Sequence, residues 1–241
     1  MMRIVPIVFG LVLAVSAGLS PVFAADKRPV VVELFTSQGC SSCPPAEAFL
    51  NDLTKRKDVI ALEFHVDYWD YIGWKDLFAK PEFTARQKSY VTSMGSRYAY
   101  TPQMVIDGRE HVVGSHRAKV ESVIRKAQAK ASKAPPIKMR REGKNLIISV
   151  GAARASGDYV VTMATFDKPH VTKVKRGENR GMTLTNANVV RELVKIGDWN
   201  GKAAEYTISL DGTDGDGGCA ILIQKKGHGP VLAAASMPFI Q

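Results

Sequence analysis

Cysteine is scarce in this sequence: its 241 residues contain three. Three cysteines can form one disulfide with one thiol left over, which excludes a small scaffold held together by several disulfides. Cys40 and Cys43 form the one closely spaced pair, and no second Cys-x-x-Cys accompanies it. A structural zinc site usually needs a second pair of ligands, so we predict neither a metal site nor a bound cofactor.

Long hydrophobic runs are also lacking, except at the start of the chain. Arg3 precedes residues 4–20, which carry no charge, and Val22 and Ala24 are small residues at the positions that a signal peptidase inspects. This pattern is typical of a secretory signal peptide, which we assign to residues 1–24. No later run is long enough to cross a bilayer. We therefore expect a periplasmic or secreted protein without a stable membrane anchor after cleavage.

Acidic residues are fewer than basic ones, 23 against 33, which gives a formal net charge of +10. Such an excess can indicate nucleic acid as a partner. The most basic stretch, Lys126 to Lys144, contains no aromatic residue on which bases could stack. We therefore predict no nucleic-acid partner.

The pattern from residue 27 to residue 133 alternates between strand and helix. Val30 to Phe35 is a β-branched run typical of a buried strand, and Ala46 to Lys55 has the apolar spacing of a helix. A second strand, a helix, a hairpin closed by Asp107-Gly108 and a helix after Ser115 follow. This order predicts an α/β domain.

The character of the sequence changes after Ala134-Pro135-Pro136, which is typical of a linker. Short β-branched runs separated by Gly, Asn and Asp follow, without a convincing helix among them. They predict a smaller all-β, sandwich-like domain of unknown role over residues 137–241.

Cys40-Ser41-Ser42-Cys43-Pro44-Pro45 lies between a predicted strand and a predicted helix. Two intervening residues at a helix start allow the sulfurs to form a disulfide, and the positive end of the helix dipole stabilises a thiolate. The two prolines suit the first helical turn, where backbone N–H groups lack partners. We expect Cys40, at the exposed approach to the helix, to be the nucleophile and Cys43 to be the resolving thiol.

A second motif, Thr101-Pro102-Gln103-Met104, leads into a strand. Together with the cysteine pair it resembles the thioredoxin superfamily. The resemblance implies a thioredoxin-like fold for residues 27–133, a cis peptide bond before Pro102, and pairing of the Thr101 backbone with the substrate chain. It also implies that Glu33, in the first strand, is a buried acid that takes a proton from Cys43. A partner for a basic side chain is an equally good role for Glu33.

Some positions depart from the usual thioredoxin pattern, since Gly39 stands where a tryptophan is typical and Ser-Ser replaces Gly-Pro. The run Glu33 to Pro45 is more similar to a family of secreted bacterial proteins of unknown function, and Tyr100 to Met104, Gly177 to Gly181 and Asn188 to Arg191 extend the similarity. This resemblance implies a fold and an exported location, but no substrate.

Three functions are compatible with the sequence. The first is a thiol–disulfide oxidoreductase that exchanges with protein thiols or disulfides, in a direction that the sequence does not determine. The second is a copper-handling module in which His65 joins the two thiols, which suit Cu(I). The third is a non-catalytic binding protein with a structural disulfide. Cys219 opens an apolar run, and we expect it to be a small buried residue.

Overall fold

The computed structural model describes residues 28–130, 134–155 and 157–239. The predicted signal peptide, residues 1–24, lies outside the described residues. Within them, no helix is both long and apolar enough to cross a membrane.

Residues 28–130 form one four-stranded sheet and three α-helices. The strands are β1 Val30–Thr36, β2 Val59–His65, β3 Gln103–Ile106 and β4 Glu110–Val113, and the helices are α1 Pro44–Leu53, α2 Pro81–Ser93 and α3 Arg117–Lys130. The strand order is β2-β1-β3-β4, with β1 parallel to β2 and antiparallel to β3. A short 3₁₀ turn at Asp70–Ile72 precedes α2.

The second half forms nine strands in three further sheets. They are β5 Ile137–Glu142, β6 Asn145–Val150, β7 Tyr159–Phe166, β8 His170–Lys173, β9 Thr183–Asn186, β10 Val190–Trp199, β11 Ala204–Ser209, β12 Gly218–Lys225 and β13 Val231–Pro238. The sheet orders are β10-β7-β12-β13, β11-β6-β5 and the hairpin β8-β9.

Side chains alternate between the two faces of β1, as in any strand. Val30, Val32 and Leu34 pack with α1 and α3 in one hydrophobic core. Val31 and Phe35 belong to a second core on the opposite face. Both faces of the first sheet are therefore apolar and need a cover.

The second core joins the two halves of the chain. In it, Phe35 and Phe64 of the first sheet pack together with Ala164, Phe166 and Leu222 from the later strands. Burying an aliphatic or aromatic side chain of this size contributes roughly 1.5–3 kcal/mol, so each half stabilises the other.

The expectation of an α/β thioredoxin-like fold followed by a smaller all-β domain is wrong. Strands account for 40% of the described residues and helices for 19%, in several small sheets. The physical reason is that α2 alone does not cover the second face of the first sheet, so the strands of the later half pack there and share its core. The predicted boundary at residues 133–137 stays a prediction.

Candidate functional site

Cys40 and Cys43 form a disulfide directly before α1, with their Cα atoms 5.4 Å apart. Pro44 and Pro45 occupy the first turn of the helix, as the sequence predicted. The prediction of a disulfide between these residues is confirmed. The expected exposure of Cys40 is wrong, because Cys40 is 1% exposed and Cys43 is fully buried.

The loop before β3 lies against the disulfide. The Thr101–Pro102 peptide bond is cis, as the sequence predicted. The Thr101 hydroxyl donates a hydrogen bond to the Cys40 sulfur at 3.3 Å and accepts one from the Trp69 indole N–H at 2.8 Å. A donor aimed at a sulfur favours the thiolate over the thiol. Thr101 is therefore placed to stabilise a Cys40 thiolate.

A loop from the second half covers the other side of the cysteine loop. The Asn179 amide donates hydrogen bonds to the backbone carbonyls of Gln38 and Cys40, at 2.9 and 3.0 Å. The Glu178 carboxylate accepts a hydrogen bond from the Ser41 backbone N–H at 3.1 Å. Sequence reasoning noticed the Gly177 to Gly181 run only as a family feature. Its contact with Cys40 spans 139 positions of sequence, and no local pattern predicts such a contact.

Glu33 lies on the face of β1 that it shares with Val31 and Phe35, away from α1. Its carboxylate accepts hydrogen bonds from Arg86, at 2.6 and 3.0 Å, and from the Tyr90 hydroxyl at 2.5 Å. The structure thus confirms the other role considered for Glu33, that of a partner for a basic side chain, and shows no contact between Glu33 and Cys43 among the described residues. The alternation of side chains along β1 turns Glu33 to the face opposite the helix that begins after Cys43.

A different buried acid lies next to the disulfide. Glu47 stands four residues after Cys43, and its backbone N–H donates to the Cys43 carbonyl. Residues four apart lie on one face of a helix, so both side chains face the same way, and both are buried. The Thr36 hydroxyl donates to the Glu47 carboxylate at 2.7 Å. The spacing of four was a usable sequence signal for Glu47, which our sequence analysis did not use.

Glu47 belongs to a buried cluster with Glu63, His65 and Asp76, which we call the acid cluster. His65 Nδ1 lies 2.7 Å from Asp76 Oδ2, and His65 Nε2 lies 3.7 Å from Glu63 Oε1. The Asn186 amide donates to Glu63 at 2.9 Å. Asp76 also accepts a hydrogen bond from the Gln38 backbone N–H at 2.8 Å. The acid cluster therefore holds the loop that carries Cys40.

Burial sets the protonation of the acid cluster. Burial raises the pKa of Glu63 to about 8 and also raises the pKa of Glu47. Burial alone would lower the pKa of His65, but the charge and hydrogen bond of Asp76, together with the charges of the other acids in the cluster, outweigh it and raise the pKa to about 9. Burial would likewise raise the pKa of Asp76, but the charge of His65 lowers it. The raised pKa of His65 and the lowered pKa of Asp76 favour an ion pair between these two side chains, and the raised pKa of Glu63 favours its protonated form.

The remaining candidate residues lie elsewhere. His65 interacts with Asp76 and Glu63 in the acid cluster, which leaves the copper alternative without its proposed third ligand. Among the described residues, no group of His, Cys, Asp and Glu has the arrangement of a metal site. Cys219 is buried in the core of the later sheets, where burial raises its pKa to about 12.

The comparisons with known proteins identify a family without an assigned activity. The family model described as "Protein of unknown function (DUF1223)" matches residues 31–224, so the chain belongs to this family. No curated protein sequence matches the chain.

Two solved structures are similar to this one. An Agrobacterium tumefaciens protein, solved by X-ray crystallography, has 30% sequence identity and a TM-score of 0.78, with 89% of this chain and 96% of that chain covered. HBP35 of Porphyromonas gingivalis has 11% identity and a TM-score of 0.64, with 88% and 75% covered. At 11% identity the second match shows a similarity of fold alone.

Proposed function

We propose that the protein is an exported thiol–disulfide oxidoreductase whose redox pair is Cys40 and Cys43. The observation that carries the proposal is the disulfide at the N-terminus of α1 with the Thr101 hydroxyl donating to the Cys40 sulfur. The helix dipole and this hydrogen bond both favour a thiolate at Cys40. The two motifs, which resemble those of the thioredoxin superfamily, support the same chemistry.

The reaction is an exchange of disulfides. In the reduced protein, the Cys40 thiolate attacks one sulfur of a substrate disulfide, forms a mixed disulfide and releases the other sulfur as a thiolate. The Cys43 thiol then loses its proton and attacks the Cys40 sulfur. The Cys40–Cys43 bond forms, the second substrate sulfur leaves as a thiolate, and two electrons have passed to the substrate. The reverse sequence oxidises a substrate dithiol.

Glu47 is our candidate for the group that takes the Cys43 proton. It lies one helical turn from Cys43 on the same buried face and accepts a hydrogen bond from the Thr36 hydroxyl, whereas Glu33 is held by the Arg86 guanidinium. Burial raises the pKa of Glu47, which makes its carboxylate a better proton acceptor. The contacts of Glu33 and Glu47 thus favour Glu47 for the role that the sequence suggested for Glu33.

The redox potential of the cysteine pair tests the proposed function. The mature protein is equilibrated in glutathione or dithiothreitol buffers, alkylated and analysed by mass. A reversible couple between about −120 and −270 mV is the expected result, since working oxidoreductases lie in this range. Cys219, whose pKa burial raises to about 12, is expected to stay unalkylated in the native protein and serves as an internal control.

A reduction potential of the Cys40–Cys43 pair below about −300 mV would contradict the proposal, because structural disulfides of secreted proteins have potentials in that range. The burial of both cysteines is the observation that favours this second candidate, a binding protein with a structural disulfide.

Replacing Thr101 with valine is expected to raise the pKa of the reduced Cys40 thiol by about one unit, since a hydrogen bond to a charged group contributes about 1.5–3 kcal/mol. The pH dependence of iodoacetamide alkylation measures this pKa. Thr101→Ser keeps the hydroxyl group and is the matched control. Equal pKa values in the valine and serine variants would show that the Thr101 hydroxyl does not stabilise the thiolate.

A further inference from the structure

The exposed hydrophobic side chains are not scattered over the surface. In the part of the chain that the structure describes, the large hydrophobic side chains that are exposed are Tyr71, Leu77, Tyr98, Val171 and Met182. Tyr71 is 82% exposed and Leu77 is 76% exposed. All five belong to three segments, namely residues 69–78, residues 95–101 and the β8–β9 hairpin of residues 170–186.

These three segments meet at the cysteine loop. In the first, Trp69 contacts Thr101 of the second through the hydrogen bond that leads to the Cys40 sulfur. The Phe78 ring lies 4.8 Å from the His170 ring, which joins the first segment to the β8–β9 hairpin. The hairpin reaches the Cys40 carbonyl through Asn179. The exposed hydrophobic side chains thus belong to the three segments that meet at the cysteine loop, and we call these segments the disulfide rim.

The disulfide rim is also basic. Lys75, Lys175, Arg176 and Arg180 are exposed on two of its segments. The acids of the rim have partners, since Glu178 accepts a hydrogen bond from the Ser41 backbone N–H, Asp76 accepts one from the Gln38 backbone N–H and Asp70 accepts one from the Asp76 backbone N–H.

From the disulfide rim we infer the substrate class, an inference that rests on the proposed function. We propose that the rim binds acidic polypeptide segments that carry aliphatic or aromatic residues beside a cysteine. Exposed apolar and aromatic groups mixed with arginine are typical of protein-binding surfaces. The cations complement acidic residues of the partner, and they increase the rate of encounter more than they increase the affinity.

An anionic membrane surface would also attract basic and apolar side chains. The position of the disulfide favours a polypeptide instead. The rim contacts Cys40 through Thr101 and Asn179, so a partner that exchanges with Cys40, which is 1% exposed, has to meet the rim and bring a sulfur atom. A bilayer brings no sulfur and would close the approach to the disulfide.

Peptide binding without chemistry tests the inference. We use two fluorescent peptides of equal length, each of which contains valine, leucine, tyrosine and a serine in place of cysteine. The acidic peptide also carries aspartate and glutamate, and the basic peptide carries lysine at the same positions. Anisotropy is measured with the oxidised full-length mature protein at low and at raised salt. We expect the acidic peptide to bind about tenfold more tightly at low salt, and we expect salt to reduce this preference.

Two variants test which residues produce the preference. We expect the double variant Arg176→Glu, Arg180→Glu to lose the preference for the acidic peptide. We expect the double variant Tyr71→Ser, Leu77→Ser to bind both peptides more weakly. Arg140→Glu with Arg141→Glu reverses two exposed arginines on β5 and is the matched control, expected to keep the preference. Equal affinity for both peptides, or an equal loss in the β5 variant, would overturn the inference.

Vesicles of phosphatidylglycerol and phosphatidylcholine provide the membrane outcome. If the protein sediments with these vesicles, if the Arg176→Glu, Arg180→Glu variant does not, and if the protein shows no preference between the peptides, the partner of the rim is a lipid surface and not a polypeptide. Because the peptides lack cysteine, their binding does not depend on disulfide exchange. The proposed oxidoreductase function and the proposed substrate class are therefore tested independently. A working redox couple without peptide preference overturns the inference alone, whereas peptide preference with a disulfide that never opens overturns the oxidoreductase alone.

Discussion

Replacing Arg86 with methionine is expected to lower the free energy of unfolding by about 3–5 kcal/mol. Arg86 is buried, and its guanidinium donates to Glu33 as well as to the Tyr90 hydroxyl at 2.9 Å and the Gln224 side chain at 3.2 Å. Burial alone would lower the pKa of Arg86, but the charge and hydrogen bonds of Glu33, together with the Tyr90 hydroxyl, outweigh it and raise the pKa. The substitution leaves the Glu33 carboxylate buried without its counter-ion, and an unpaired buried charge strongly destabilises the folded state.

Urea unfolding followed by fluorescence measures the loss. The double variant Arg86→Met, Glu33→Gln removes both charges and is expected to be more stable than Arg86→Met alone. Lys144→Met breaks the exposed pair of Lys144 with Asp211 and is expected to cost less than about 1 kcal/mol. A cost below about 1 kcal/mol for Arg86→Met would show that the buried ion pair does not stabilise the fold.

The folded double variant also tests the position of the acid near the disulfide. Since Glu33 lies on the opposite face of β1 from α1, we expect its replacement to leave the Cys40–Cys43 potential unchanged. A change in the redox potential of the Cys40–Cys43 pair would show that Glu33 does influence this pair.

Raising the pH from 6 to 9 is expected to destabilise the oxidised protein by on the order of 3–5 kcal/mol. The pKa of Glu63 is raised to about 8, so the folded state holds a proton that the unfolded state releases above pH 4.5. The contribution of protonated Glu63 to the free energy of unfolding is lost as the pH rises through 8. The pKa of His65 is raised to about 9, so its contribution is complete below pH 6.5 and is lost as the pH rises through 9.

The other groups that face Glu63 do not reverse the sign. The raised pKa of Glu47 acts in the same direction, whereas the lowered pKa of Asp76 costs stability only below its usual value of 3.8. For a chain of this size, 1 kcal/mol corresponds to about 2–4 °C, so Tm is expected to fall by roughly 10 °C between pH 6 and pH 9.

Calorimetry of the oxidised protein at both pH values measures this change, and the oxidised state keeps Cys40 and Cys43 from titrating. Glu63→Gln imitates the protonated side chain and is expected to reduce the pH dependence by about half. If Tm changes equally in Glu63→Gln and in the parent protein, the acid cluster is not the source of the pH dependence.

Much of the redox site was predictable because its signals are local. The spacing of Cys40 and Cys43, with Pro44 after them, requires a helix start and permits a disulfide, whatever the remaining chain does. Thr101-Pro102 before a β-branched run likewise marks a strand start where a cis bond is possible. The strand at Val30–Thr36 followed from its β-branched residues, because both of its faces are buried.

The sequence by itself thus indicated the cysteine pair and the helix that begins after it, and the resemblance to the thioredoxin superfamily implied the cis peptide bond beside it. Tertiary structure alone decided that Glu33 pairs with Arg86, that Glu47 lies on the face of Cys43, and that Asn179 covers the Cys40 loop. It also decided that the two halves share one core. The physical reason is that both faces of the first sheet are apolar, and a sequence pattern shows that a face is buried without showing which distant segment covers it.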